Sequence, residues 1–220
     1  MKKIYSFTSR MKNFMVFAKQ YKLLILLSVA AILVASTTRG SESAKSLLVV
    51  KNFQTALIEV MKVADKISVA ERYRRLEPAV QNSFHLPLMA QISAGNHWKL
   101  ATRDEKIQLI TAFQRMSVAT LATLFSSYSG ETFEIVEEKS GPYKTTIVMC
   151  NLVKADKNRV DIAYITKRFD DGWRMIDVVL DSGISELKIR RSEYHQVLRQ
   201  AGIPALIGLL NNKADQLMSQ

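Results

Sequence analysis

Residues 133–179 read FEIVEEKSGPYKTTIVMCNLVKADKNRVDIAYITKRFDDGWRMIDVV, and the period of their apolar residues decides the fold. Phe133 and Ile135 alternate with Glu134. Thr146, Val148, Cys150 and Leu152 then oppose Ile147, Met149 and Val153; Val160, Ile162 and Tyr164 flank Asp161 and Ala163; Trp173, Met175 and Val179 flank Arg174, Ile176 and Val178. A period of two marks β-strands. Three turn-rich pieces separate them: Ser140-Gly-Pro142, Ala155-Asp-Lys-Asn158 and Asp170-Asp-Gly172. Connections this short join antiparallel neighbours, so the prediction is a four-stranded antiparallel meander, twisted as sheets are.

On both sides of this run the apolar spacing is helical. From about Ala44 to Asn82, Leu47, Leu48, Phe53, Leu57, Ile58 and Met61 precede Val69, Tyr73, Leu76 and Val80, which predicts two amphipathic helices with a break near Asp65–Ser68. A short helix is expected from Phe84-His-Leu-Pro-Leu-Met89, with Pro87 in its first turn. Thr102-Arg-Asp-Glu105 has the spacing of a capping box and should open a long helix with the face Ile107, Ile110, Phe113, Leu121, Leu124 and Tyr128, ending before Gly130. After the strands, Ile184, Leu187, Tyr194 and Leu198 return to helical spacing. Gly202 and Pro204 punctuate them, and Ile203, Leu206, Ile207, Leu210 and Leu217 make a last amphipathic helix. Helices, then a sheet, then helices describe one α+β domain. No internal repeat or long linker divides it.

The chain of 220 residues is 48% apolar and 23% charged, with a formal net charge of +11. Six of the basic residues (Lys2, Lys3, Arg10, Lys12, Lys19, Lys22) fall in the first 22 positions, which hold no acid; the charge without them is 11 less six, or +5. Residues 23–35 follow without a charge, and at 1.5 Å per residue they span roughly 20 Å, short of the ~30 Å hydrocarbon layer. Residues 1–37 therefore read as a secretory signal, with an uncleaved anchor as the alternative. Either way the rest is exported, and a lone cysteine, Cys150, suits an oxidising compartment.

The sequence lacks the common catalytic motifs. Gly-rich phosphate loops, nucleophile elbows and His-Glu-x-x-His are absent, and the single cysteine rules out an intrachain disulfide or a cysteine-rich metal site. No cofactor or metal is expected. Ser185-Glu-Leu-Lys188 matches Ser-x-x-Lys, but Ser185 sits near a helix start, where capping is the simpler role. His85, His97 and His195 are too far apart for a metal clamp, and Asp170 and Asp171 fit a hairpin turn. Cys150 reads as a core thiol. Two basic clusters stand out in the exported part, Arg72, Arg74 and Arg75, then Lys188, Arg190 and Arg191. They are solvated helix faces or, in the sharper reading, a docking patch or phosphate-headgroup clamp. No nucleic-acid motif accompanies the charge, so no nucleic-acid partner is expected.

Several motifs in succession carry a resemblance: Phe84-x-Leu-Pro-x-Met89; Gly95-x-x-Trp98-Lys-x-Ala-Thr102-x-x-Glu105 with Phe113; Gly172-Trp-Arg-Met-Ile-Asp-Val178; Gly183-Ile-Ser185; and Arg191-Ser-Glu-Tyr194. In this order, from about residue 45 to 217, the chain resembles the toluene-tolerance (MlaC-like) family of periplasmic lipid carriers. Tyr128-Ser-Gly130-Glu-x-Phe133 and Ile184-Ser-Glu-Leu-x-x-Arg190-Arg-Ser-Glu-Tyr194 look most like its hopanoid-biosynthesis branch.

The resemblance implies a lipid-binding domain over 44–220 whose sheet and helices enclose an apolar cavity. It further implies a non-enzymatic carrier that shuttles phospholipid or a hopanoid lipid between inner- and outer-membrane transport complexes. The rival readings are a docking or assembly factor without cargo and a hydrolase using Ser185 or the aspartates. Inward positions nominate Phe113, Leu121, Leu124, Ile147, Met149, Ile162, Tyr164, Trp173 and Met175 as cavity wall. Arg72, Arg74, Arg75, Lys188, Arg190 and Arg191 are the candidate headgroup or docking residues.

Overall fold

The computed structural model describes residues 45–180 and 183–219. The secretory signal expected over 1–37 lies outside them. Among the described residues no helix is long and apolar enough to cross a membrane.

Helix α1 covers residues 45–61 and buries Val50, Phe53, Leu57, Val60 and Met61. A 3-10 turn, Ala64–Lys66, occupies the expected break, and α2 (Val69–Ser83) starts on Ser68, whose hydroxyl accepts the Glu71 amide at 3.2 Å. Helix α3 (Leu86–Ala94) carries Pro87 in its first turn and is capped by His85 Nδ1, which accepts the Leu88 amide at 3.1 Å. It ends at Gly95, whose φ of +57° favours glycine and whose Cα faces the Arg191 guanidinium, so an added Cβ would lie 3.3 Å from it. One further turn, α4 (His97–Leu100), leads to α5 (Arg103–Leu124). The capping box forms as expected, Thr102 Oγ1 accepting the Glu105 amide at 3.2 Å and Glu105 accepting the Thr102 amide at 2.7 Å.

Helix α5 departs from expectation in two ways. It ends at Leu124, because the following Phe-Ser-Ser carries serines that compete for backbone groups. Its buried face is built of Leu109, Ala112, Phe113, Met116, Val118, Ala119 and Ala122, while Ile107 and Leu124 are exposed. Alanines let neighbouring helices approach closely, and α5 packs on both α2 and the last helix, α6 (Glu186–Met218).

Among the described residues the sheet has five antiparallel strands in sequence order: β1 (Thr132–Ser140), β2 (Thr145–Val153), β3 (Arg159–Phe169), β4 (Gly172–Leu180) and β5 (Ile184–Ser185). The expected count of four is corrected by β5, which pairs Ser185 with Val179 and Ile184 with Leu180. Two residues are too few to show a period, so this strand was hidden at the start of a helical pattern. Val136 is an extra residue in β1 and Ile176 in β4; at each bulge the inward face changes parity. Helix α6 runs Glu186–Met218 and turns at Gly202, whose φ of +72° lies outside helical range. This is the punctuation expected from Gly202 and Pro204. The core lies between the helices and the face of the sheet presenting Val148, Cys150, Ile162, Tyr164, Thr166 and Met175.

Candidate functional site: an apolar cavity between helices and sheet

A cavity of about 230 Å³ opens inside this core. Its lining separates by burial into a floor and a mouth. Phe53 and Leu57 of α1, Val80 of α2, Phe84, Leu86 and Met89 at α3, and Ile162 and Tyr164 of β3 are buried and form the floor. Thr120, Leu121, Leu124 and Phe125 at the end of α5, Phe133 of β1, Val178 and Leu180 of β4, and Glu186 and Arg190 of α6 reach solvent and form the mouth. Leu124 is 69% exposed. Apart from Ser117, Thr120, Glu186 and Arg190 the lining is aliphatic or aromatic, a surface that offers hydrocarbon the same environment it would have in a bilayer.

Aromatic packing keeps the floor in place. Phe53 meets Phe84 edge-on with centroids 4.9 Å apart and Tyr164 edge-on at 6.3 Å. Burial pushes the Tyr164 phenol far above its ordinary range, the neighbouring Gln54 side chain pulling the other way, so the ring stays neutral. Burial likewise pushes the Cys150 thiol up, which fits a core thiol rather than a nucleophile.

The α6 edge of the mouth is pinned by Asp177. Its carboxylate accepts the Val178 amide at 2.8 Å, the Leu187 amide at 3.1 Å and the Ser185 hydroxyl at 2.6 Å. Ser185 Oγ in turn accepts the Lys188 amide at 3.2 Å, so the hydroxyl acts as a helix cap. Replacing Asp177 with Ala removes three charge-assisted bonds, for an expected loss of about 3 kcal/mol. Thermal melting should fall by roughly 6–12 °C for a domain of this size, and an unchanged melt would show that the α6 start is held by packing alone.

The expected wall residues are dispersed. Leu121, Leu124, Ile162 and Tyr164 line the cavity. Phe113 and Met175 are fully buried but lie outside the lining. Ile147 and Met149 fall on the opposite face of β2 from buried Val148 and Cys150, and half-buried Trp173 is also outside the lining. Both faces of β2 are apolar, so a period of two identifies the strand without choosing its inner side. The floor from α1–α3 was visible only as helical core positions. Glu186 gave no signal.

The basic clusters come apart as well. Arg72 donates to three backbone carbonyls, Ala122 at 2.7 Å and Ala64 and Ile67 at 2.9 Å. Arg74 and Arg75 are exposed and pair with Glu71, whose carboxyl they hold below its usual range, Arg75 first through its hydrogen bond. Lys188 is exposed, Arg191 lies against Gly95, and Arg190 lines the cavity. Among the described residues no cluster of three His, Cys, Asp or Glu side chains is placed to hold a metal.

The family model described as MlaC protein matches residues 51–212. Among solved structures, the fold is similar to that of the phospholipid-binding protein from Ralstonia solanacearum, determined in complex with a phospholipid. The TM-score is 0.70, over 79% of this chain and 98% of that chain, at 16% identity. No curated protein matches the chain.

Proposed function

This chain belongs to the MlaC family, and from that premise we propose that it is a periplasmic carrier that takes a phospholipid tail into its cavity and moves it between membranes. The observation that carries the reading is the apolar cavity of about 230 Å³ with a mouth left open between α5, β4 and α6. A 150 Å³ apolar cavity holds benzene, so this one holds roughly nine carbons by proportion. At about 0.8 kcal/mol per methylene, that shelters on the order of 7 kcal/mol of the ~25 that two acyl chains would lose in water. A full load therefore requires the mouth to widen. The partial shelter also suits release, because a pocket far better than a bilayer would keep its cargo.

A flexible acyl tail can thread such a space one segment at a time. A fused-ring hopanoid cannot bend, and its rigid body is several times larger than the space available. Phospholipid is therefore the favoured cargo over the hopanoid that the branch resemblance suggests. The similar Ralstonia solanacearum protein, solved with a phospholipid, supports the same choice. The proposed role is binding and transfer, without catalysis: Ser185 is engaged as a cap and Asp171 pairs with Arg174 at 3.0 Å in its turn. Donor and acceptor are proposed to be transport complexes of the inner and outer membranes, reached after export by the 1–37 signal.

Gentle purification followed by solvent extraction and mass spectrometry tests this. Near-stoichiometric phospholipid is expected. A lipid-free protein that takes up none from vesicles would favour a docking factor, and an extracted triterpenoid would overturn the cargo assignment.

A further inference from the structure

Two opposite charges line the mouth of the cavity without pairing with each other. Glu186 and Arg190 are four residues apart on α6, the spacing and order at which a glutamate and an arginine normally bridge on a helix. Here Arg190 is drawn away: its Nη1 donates to Ser117 Oγ at 2.9 Å, and its guanidinium lies 5.0 Å from the Phe113 ring centroid. The Glu186 carboxylate has no cationic partner among the described residues, although it is half-buried. A half-buried charge facing an apolar space is costly unless a partner meets it, and Arg190 still has guanidinium donors to offer.

Resting on the carrier reading above, we propose that Glu186 and Arg190 form a zwitterionic-headgroup site, Arg190 taking the lipid phosphate and Glu186 the headgroup ammonium. Both residues line the cavity one helical turn apart on α6, so a phosphate and an amine a few bonds apart match the spacing of the two charges. Arginine matches phosphate with paired N–H donors, which is why the phosphate falls to it. A lipid with a glycerol headgroup brings the same single phosphate charge to Arg190 but only neutral hydroxyls to Glu186, which leaves that carboxylate without a cation. The site thus selects among lipids with identical tails.

Delipidated protein incubated with vesicles of equal phosphatidylethanolamine and phosphatidylglycerol, matched in acyl chains, provides the test, with bound lipid read by mass spectrometry. The wild type is expected to load the ethanolamine lipid at least fivefold over the glycerol lipid. Glu186→Gln should bring that ratio close to one by lowering the load of the ethanolamine lipid, and Arg190→Gln should lower the load of both lipids about fivefold, with Arg190→Lys partly restoring it. Since Arg190→Gln also removes a core contact, the Glu186→Gln ratio decides the matter. Equal loading by the wild type, or an unchanged ratio in Glu186→Gln, overturns the headgroup site and leaves the carrier reading intact. No lipid uptake at all overturns the carrier reading. Free phosphoethanolamine at millimolar concentration is expected to leave the bound lipid in place; displacement by it would mark a site for the soluble phosphoamine instead.

Discussion

Leu121→Trp is expected to purify with less than a tenth of the wild-type lipid, whereas Met149→Trp keeps a full load. The indole adds about six heavy atoms to a space with room for roughly nine, so little remains for a tail. Met149 lies on the outer side of β2, and an equally bulky change there leaves the cavity volume untouched. Leu121 is at the mouth, where an indole could turn outward, so Ile162→Phe on the buried wall serves as the second variant. Both fill existing space and should fold, since the cost of overpacking arises where no void is available. Lipid content of the purified proteins, together with their melting curves, checks the expectation. Full lipid load in both Leu121→Trp and Ile162→Phe would place the tail somewhere other than this cavity.

The second large effect is on stability. Arg72→Met should destabilise the protein by about 3 kcal/mol or more, because three partly buried carbonyls lose a charged donor together. Those carbonyls belong to the 3-10 turn and its exit (Ala64, Ile67) and to the end of α5 (Ala122), so the guanidinium ties the α1–α2 connection to the helix that lines the cavity. A fall in melting temperature of roughly 6–12 °C is expected. Arg74→Ala and Arg75→Ala, which break only exposed pairs with Glu71, should each change stability by less than about 0.5 kcal/mol. Equal melts for all three variants would show that the Arg72 contacts contribute no more than a surface pair.

These two experiments bear on how far the chain could be read from its sequence. The strands β1–β4, the break at 64–66, the capping box at Thr102 and the bend at Gly202 were all legible, because each depends on neighbours within a few residues. The short β5 was not: it exists by pairing with β4 across a turn, with no local pattern of its own. The cavity wall was legible in part. Leu121, Leu124, Ile162 and Tyr164 line it, but the helices α1–α3 supply much of the floor, and Ile147 and Met149 point the other way.

Sequence alone determined the α+β architecture, the order of its elements and the absence of the common catalytic motifs, because hydrophobic period, capping and turn chemistry are short-range properties of the chain. Only the tertiary structure decided which apolar residues surround empty space and which fill the core, because a cavity is defined by what fails to meet across it. It likewise gave three neighbouring arginines different tasks. Arg72 faces three carbonyls from two separate segments, while Arg74 and Arg75 face water and a glutamate of their own helix, and that difference is set by contacts up to fifty residues away.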